Sequence, residues 1–226
     1  MDVGPAAGPR VMSKHLKIDF VSDVSCPWCV IGLGGLEQAL AQLDGEVDAE
    51  INFQPFELDT TVPPEGLNKV ENLARKYGTT REQIVANFEA IRRRAADVGF
   101  TMVQSEQSRV HNTFDAHRLL HWAGTEGRQA KLKHALFAAY FTEGRDPSDP
   151  AVLVEAAKAA GLDPEAAREV LASGRYAAEV RAAEEKWRAA GVSSVPAVIV
   201  NDRYLISGGQ RAEAFEQALR KIAAEV

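Results

Sequence analysis

The chain contains two cysteines, and they stand three positions apart in Cys26-Pro27-Trp28-Cys29. Thiols at this spacing admit two chemistries. In thiol–disulfide exchange, one thiolate attacks a disulfide sulfur and its neighbour then resolves the mixed disulfide. In a structural zinc site the pair supplies half of four tetrahedral ligands. The sequence has no second Cys-x-x-Cys, and most of its five histidines fall far along the chain, at 111, 117, 121 and 134. We therefore expect redox chemistry and no metal. Two inert buried thiols fit poorly with the strand-to-helix junction at which the pair lies.

Position supports Cys26 as the attacking sulfur. It falls just before a helix, where unpaired backbone N–H groups and the helix dipole favour negative charge. Pro27 suits the first helical turn, where its missing N–H costs nothing. Cys29 faces back into the helix, so it should be the more buried thiol and the resolving one. Pro27 and Trp28 bring no cation to the motif, which predicts a milder oxidant than a motif carrying histidine. Trp28 can offer apolar contact to a substrate or pack within the protein. Asp23 is a candidate proton relay to Cys29, with capping of the turn as the ordinary alternative. Asp19 is a second acid–base candidate if buried.

The elements that must position these groups follow from periodicity. Leu16 to Val21 alternates apolar and polar residues as a strand does, and Val30 to Leu43 carries an apolar helical face. Gly32, Gly34 and Gly35 weaken that helix but allow close packing. Glu50 to Phe56 is a second strand. From about Asn68 to Ala190 the pattern is helical, with segments at 80–98, 111–123, 128–141, 149–160, 163–172 and 176–190. Strands return at Ala197–Val200 and Tyr204–Ile206, with Asn201-Asp202 as their turn. A last helix spans Arg211 to Ala224. Pro196 opens the first returning strand. An X–Pro bond is where a cis peptide is cheap, and a trans proline opening a strand is the common alternative.

The fold class is therefore α/β, with helices on both faces of one sheet and a large helical block between its two halves. Expected boundaries are a disordered tail over residues 1–13, a discontinuous α/β domain over 14–62 and 191–226, and an all-helical insertion domain over 63–190. The 226 residues carry a net charge of −6, with 46% hydrophobic and 26% charged residues, so no attraction to nucleic acid or anionic membrane is expected. The start lacks the basic and apolar regions of a signal peptide, which predicts a cytoplasmic location. There a structural disulfide is disfavoured. Oligomeric state is left open.

Five blocks are similar to the DsbA-like family: D-V-S-C-P-W-C-V-I-G (23–32), P-F-E-L-D-T-T-V-P-P-E-G (55–66), N-T-F-D-A-H-R-L (112–119), V-P-A-V-I-V (195–200) and I-S-G-G-Q (206–210). The chain resembles the FrnE-like oxidoreductases of that family most. The resemblance spans nearly the whole chain and implies a thioredoxin-like fold with a helical insertion. It implies a dithiol–disulfide oxidoreductase with Cys26 as nucleophile and Cys29 as resolving thiol. It implies Pro196 as a cis-proline whose neighbour Val195 pairs with substrate backbone. Ala197 departs from the Thr or Phe that often follows this proline, which predicts a roomier groove. Asn112 and His117 are secondary site candidates, with helix capping and packing as the alternatives. Substrates would be a disulfide-containing protein or a small thiol. No cofactor is expected beyond the cysteine pair, with glutathione admissible as co-substrate. The competing functions are a glutathione-dependent transferase or isomerase of the kappa type, which usually carries Ser at the Cys26 position, and a non-enzymatic binding module.

Overall fold

Strand β1 (Lys14–Ser22) buries Leu16, Ile18 and Phe20 completely on one face, as strand alternation requires. It pairs in parallel with β2 (Val47–Pro55), matching Ile18 to Ile51 and Phe20 to Phe53. A parallel pair needs a crossover, and helix α1 (Pro27–Gln42) supplies it. The computed structural model describes residues 13–225, so the expected tail at 1–13 lies outside the described residues apart from Ser13. Both strands begin earlier than their alternation suggests, because pairing extends to Lys14 opposite Val47.

After β2 the chain leaves the sheet. A two-residue strand, β3 (Leu67–Asn68), leads into α2 (Lys69–Tyr77) and α3 (Arg81–Asp97). Asn68 caps α2 and Thr80 forms a capping box with Gln83. Strand β4 (Arg109–Val110) returns antiparallel to β3, a small sheet that helical periodicity does not reveal. That pairing also delays the next helix. Asn112 Oδ1 accepts from the Phe114 N–H at 2.9 Å, so α4 runs Phe114–Thr125 rather than from His111. Helix α5 (Gln129–Phe137) continues as a π-helical turn (Ala138–Thr142). Helices α6 (Pro150–Ala159) and α7 (Pro164–Ser173) start on the caps Asp149 and Asp163, and α8 (Ala177–Ala189) follows.

Strands β5 (Ala197–Val200) and β6 (Tyr204–Ser207) complete a sheet of order β2-β1-β5-β6, with β5 antiparallel to β1. Helix α9 (Ala212–Ala224) and α1 cover one face through a core of Leu33, Leu36, Phe215 and Leu219. On the other face Trp187 of α8 packs with Val21, Phe56 and Ala197. No helix among the described residues is long and apolar enough to cross a membrane.

Two glycines set how closely α1 meets the returning strands. A Cβ on Gly32 would lie 2.9 Å from Pro196 Cγ, and one on Gly35 would lie 2.6 Å from the Gln210 carbonyl oxygen. Alanine at position 32 would gain about 1 kcal/mol of helix propensity. It would also press on a proline ring that cannot swing aside, and overpacking costs about 1–3 kcal/mol. The steric term wins. Gly32→Ala is expected to lower the urea unfolding midpoint; an unchanged midpoint would contradict this packing.

Candidate active site

Cys26 is the N-cap of α1, with extended backbone (φ −90°, ψ 113°) and no side chain bonded to the first-turn N–H groups. No acidic residue occupies that turn, so the positive helix end favours negative charge on the Cys26 sulfur. The Cys26 N–H donates to the Asp23 carbonyl at 3.2 Å, and the Cys29 N–H donates to the Cys26 carbonyl at 3.1 Å. Both cysteines are free thiols. Cys29 is 0% exposed and Cys26 only 3%. Cys26 is thus more enclosed than its place at a helix mouth suggests. The Val195–Pro196 peptide bond is cis, and Cys26 Sγ lies 3.6 Å from the Val195 carbonyl oxygen, within reach to donate.

The two sulfurs are electrostatically unequal. Burial pushes the Cys29 thiol well above the ordinary thiol range, and the adjoining Cys26 sulfur adds to the shift. The Lys133 field pulls the other way without cancelling it. Asp23 is also buried. Burial is the largest single influence and would raise its carboxyl, and His117, whose Nε2 is 3.4 Å from Oδ1, leads the groups that oppose it. The Leu58 N–H, 2.8 Å from Oδ2, and Thr113 add to that effect, so Asp23 is held below the usual carboxylate range.

Two buried lysines flank the pair. Lys69, at the start of α2, donates to Tyr140 Oη at 3.3 Å and sits 5.0 Å above that ring. Burial lowers it to about 8 against the fields of Cys26 and Asp23. Lys133, on α5, is 0% exposed; its Nζ has no hydrogen-bond partner and lies 4.9 Å from the Phe137 ring centre. Burial lowers it, too, to about 8, against the fields of Cys29, Asp23 and Cys26. Sequence reasoning missed both cations. Lys133 had a signal, since it interrupts an apolar helical stripe with Leu136, Phe137 and Tyr140. Lys69 opens a short helix and had none.

Cys26 lies at the base of a groove of about 520 Å³ between the Val195 loop and helices α2 and α3. Asp23, Pro27, Trp28, Lys69 and Val195 line it. Trp28 is 41% exposed, which leaves its ring available to a guest. His117 lies behind the pair rather than on the groove, against Asp23. Asn112 also sits off the groove, with Nδ2 3.4 Å from Glu57 Oε1. Asp19 is buried but bound by Gln54 at 2.7 Å and Lys17 at 3.1 Å. It alternates with Ile18 and Phe20, so it faces away from the core that holds Cys29, and the acid–base role considered for it falls away. A second missed feature is structural: buried Glu57 pairs with Arg181, which also holds Glu184 at 2.7 Å. Among the described residues no three histidine, cysteine or carboxylate side chains converge as a metal site would require.

A family model, the DSBA-like thioredoxin domain, matches residues 17–220. A probable DsbA oxidoreductase from Streptomyces coelicolor is 35% identical and superposes with a TM-score of 0.86, covering 94% of this chain and 92% of that one. The uncharacterized protein YwbO of Bacillus subtilis (strain 168) is 26% identical over 210 residues, 92% of this chain and 96% of that protein. The cytosolic disulfide reductase DsbM of Pseudomonas aeruginosa, solved with GSH, shares the fold at 16% identity and a TM-score of 0.62, over 92% and 97% of the two chains. These matches do not single out the FrnE-like branch.

The buried lysines have a thermodynamic cost. Holding Lys133 near 8 instead of 10.5 costs the fold about 3 kcal/mol at neutral pH. Because the folded value is the lower one, the penalty is full below pH 8 and fades as pH rises towards 10.5. Methionine fills a similar volume without a charge. Lys133→Met is expected to be more stable than wild type at pH 7, by about 1–3 kcal/mol in denaturant unfolding, with the gap closing above pH 9. A less stable variant at pH 7 would contradict the assignment.

Proposed function

Because this chain belongs to the DSBA-like thioredoxin domain family, we propose that it is an oxidoreductase that exchanges a dithiol for a disulfide, with Cys26 as nucleophile and Cys29 as resolving thiol. One observation carries the proposal: a dry sulfur that holds its proton lies directly behind a sulfur at a helix N-terminus, at the base of a groove. The ionised Cys26 attacks a substrate disulfide, forming a mixed disulfide and releasing one substrate sulfur as thiolate. Cys29 then attacks Cys26, the Cys26–substrate bond breaks, and the second substrate sulfur leaves. Lys69 on the groove wall opposes the charge that Cys26 carries before attack.

The groove suits an extended segment of a disulfide-containing protein or a small disulfide. The Val195 backbone beside Cys26 supplies a polar edge for such a segment, and Trp28 an apolar wall. The cysteine pair is its own redox centre and calls for no further cofactor. We place the reaction in a reducing cytoplasm, running as reductase or isomerase with glutathione as one source of electrons. A kappa-type enzyme borrows the thiol of bound glutathione and has no use for a resolving cysteine. The Cys26–Cys29 pair therefore supports exchange over that alternative.

Insulin disulfide reduction tests this directly. Cys26→Ser is expected to abolish turnover, and Cys29→Ser to accumulate mixed disulfides visible by non-reducing mass spectrometry. Lys69→Met should slow alkylation of Cys26 at neutral pH several-fold. Glutathione conjugation to chlorodinitrobenzene should stay at background. Wild-type turnover in both cysteine variants would overturn the proposal.

A further inference from the structure

Exchange through a dry thiol raises a question of proton traffic. Cys29 must lose its proton before it can attack Cys26, and it is 0% exposed. The groove reaches Cys26, but Cys29 is not among its lining residues. A second cavity, of about 310 Å³, shares no lining residue with the groove. Lys133 and His117 line it, and its rim residues Gly124 and Thr125 are exposed. Lys133 therefore stands between the core around Cys29 and a cavity that opens to solvent. Its Nζ has no hydrogen-bond partner and rests between the rings of Phe137, at 4.9 Å, and Phe53, at 6.0 Å. Both rings belong to the core cluster that contains Cys29.

We propose that Lys133 is the proton acceptor for Cys29 in the resolving step, serviced from solvent through the rear cavity and not through the substrate groove. The proposal rests on the exchange function above. In the mixed disulfide the Lys133 amine takes the Cys29 proton. The resulting ammonium offsets the new thiolate charge. Cys29 Sγ then bonds to Cys26 Sγ as the Cys26–substrate bond breaks. The departing substrate thiolate takes a proton from water, and Lys133 returns its own proton to solvent through the cavity.

The neighbours of Lys133 suit this cycle. The charges of Cys29 from α1, Cys26 at its N-cap and Asp23 from the preceding loop act on it, and His117 and His121 from α4 line the same cavity. His134 shares its helix and is engaged by Glu37 at 2.7 Å, and His121 stacks on Tyr176 at 5.1 Å. Lys133 and Cys29 shift each other's acidity reciprocally. A negative charge on Cys26 raises both groups and so favours the proton on Lys133 and on Cys29. Formation of the mixed disulfide removes that charge, so Cys29 becomes more acidic and Lys133 sheds its proton to become a base. Attack by Cys26 thus readies the resolving step.

Stopped-flow reaction with dithiobisnitrobenzoate separates the two steps in the full chain. A first nitrothiobenzoate is released when Cys26 attacks, and a second when Cys29 resolves. In Lys133→Met the first phase should slow only slightly, through the lost field on Cys26, and the second should slow by about a hundredfold, the scale of positioned proton transfer. The wild-type second phase should rise with pH and level off below about 8, and the variant's should rise only at higher pH, where Cys29 ionises unaided. Lys133→Gln, which keeps a polar head, should behave like Lys133→Met. Unchanged second phases in both variants would overturn the role of Lys133 and leave the exchange function intact. Absence of the first phase in wild type would instead remove the function on which it rests.

Discussion

A sulfur cut off from water resists carrying charge, because the interior cannot replace the hydration that a thiolate loses. At Cys29 this constraint orders the rest of the site. The dry thiol keeps its proton while Cys26, three residues earlier, sits at the positive end of α1 and below an open groove. Two chemically identical side chains thereby acquire different surroundings. The difference depends on packing: α1 must lie flat on the sheet for Cys29 to be dry, and Gly32 must stay small for the Pro196 loop to close over Cys26.

Such a site is held against a stability cost. Lys69 and Lys133 are both buried and both depressed, and Asp23 and His117 meet as a buried polar pair. A fold optimised only for stability would fill these positions with apolar residues. Their presence around one cysteine pair, and not scattered through the core, is what ties them to chemistry. By contrast the buried Glu57–Arg181–Glu184 network joins the segment after β2 to α8 and fastens the helical block to the sheet.

The local parts of this design were readable in the sequence. Alternation in Leu16 to Val21 and the Asp-Pro starts of α6 and α7 depend on neighbours in the chain, and the elements formed there. The Cys26-Pro27-Trp28-Cys29 spacing placed the thiols correctly at the first turn of α1. What escaped depends on contacts between distant segments. The β3–β4 pair joins residues about forty apart, and two-residue strands carry no periodicity. Lys69 and Lys133 reach the cysteines only after the insertion folds back across the sheet. The motif therefore looked poor in cations when the folded site is not. Asp19 shows the opposite failure: it lies near in sequence and buried, yet strand alternation turns it to the wrong face.

Alkylation mapped by mass spectrometry across a pH series tests the inequality of the two sulfurs most directly. With a small iodoacetamide probe on the reduced chain, Cys26 should be modified at neutral pH while Cys29 stays unmodified until well above pH 9. Modification of Cys29 first, or of both cysteines in parallel at neutral pH, would contradict the account.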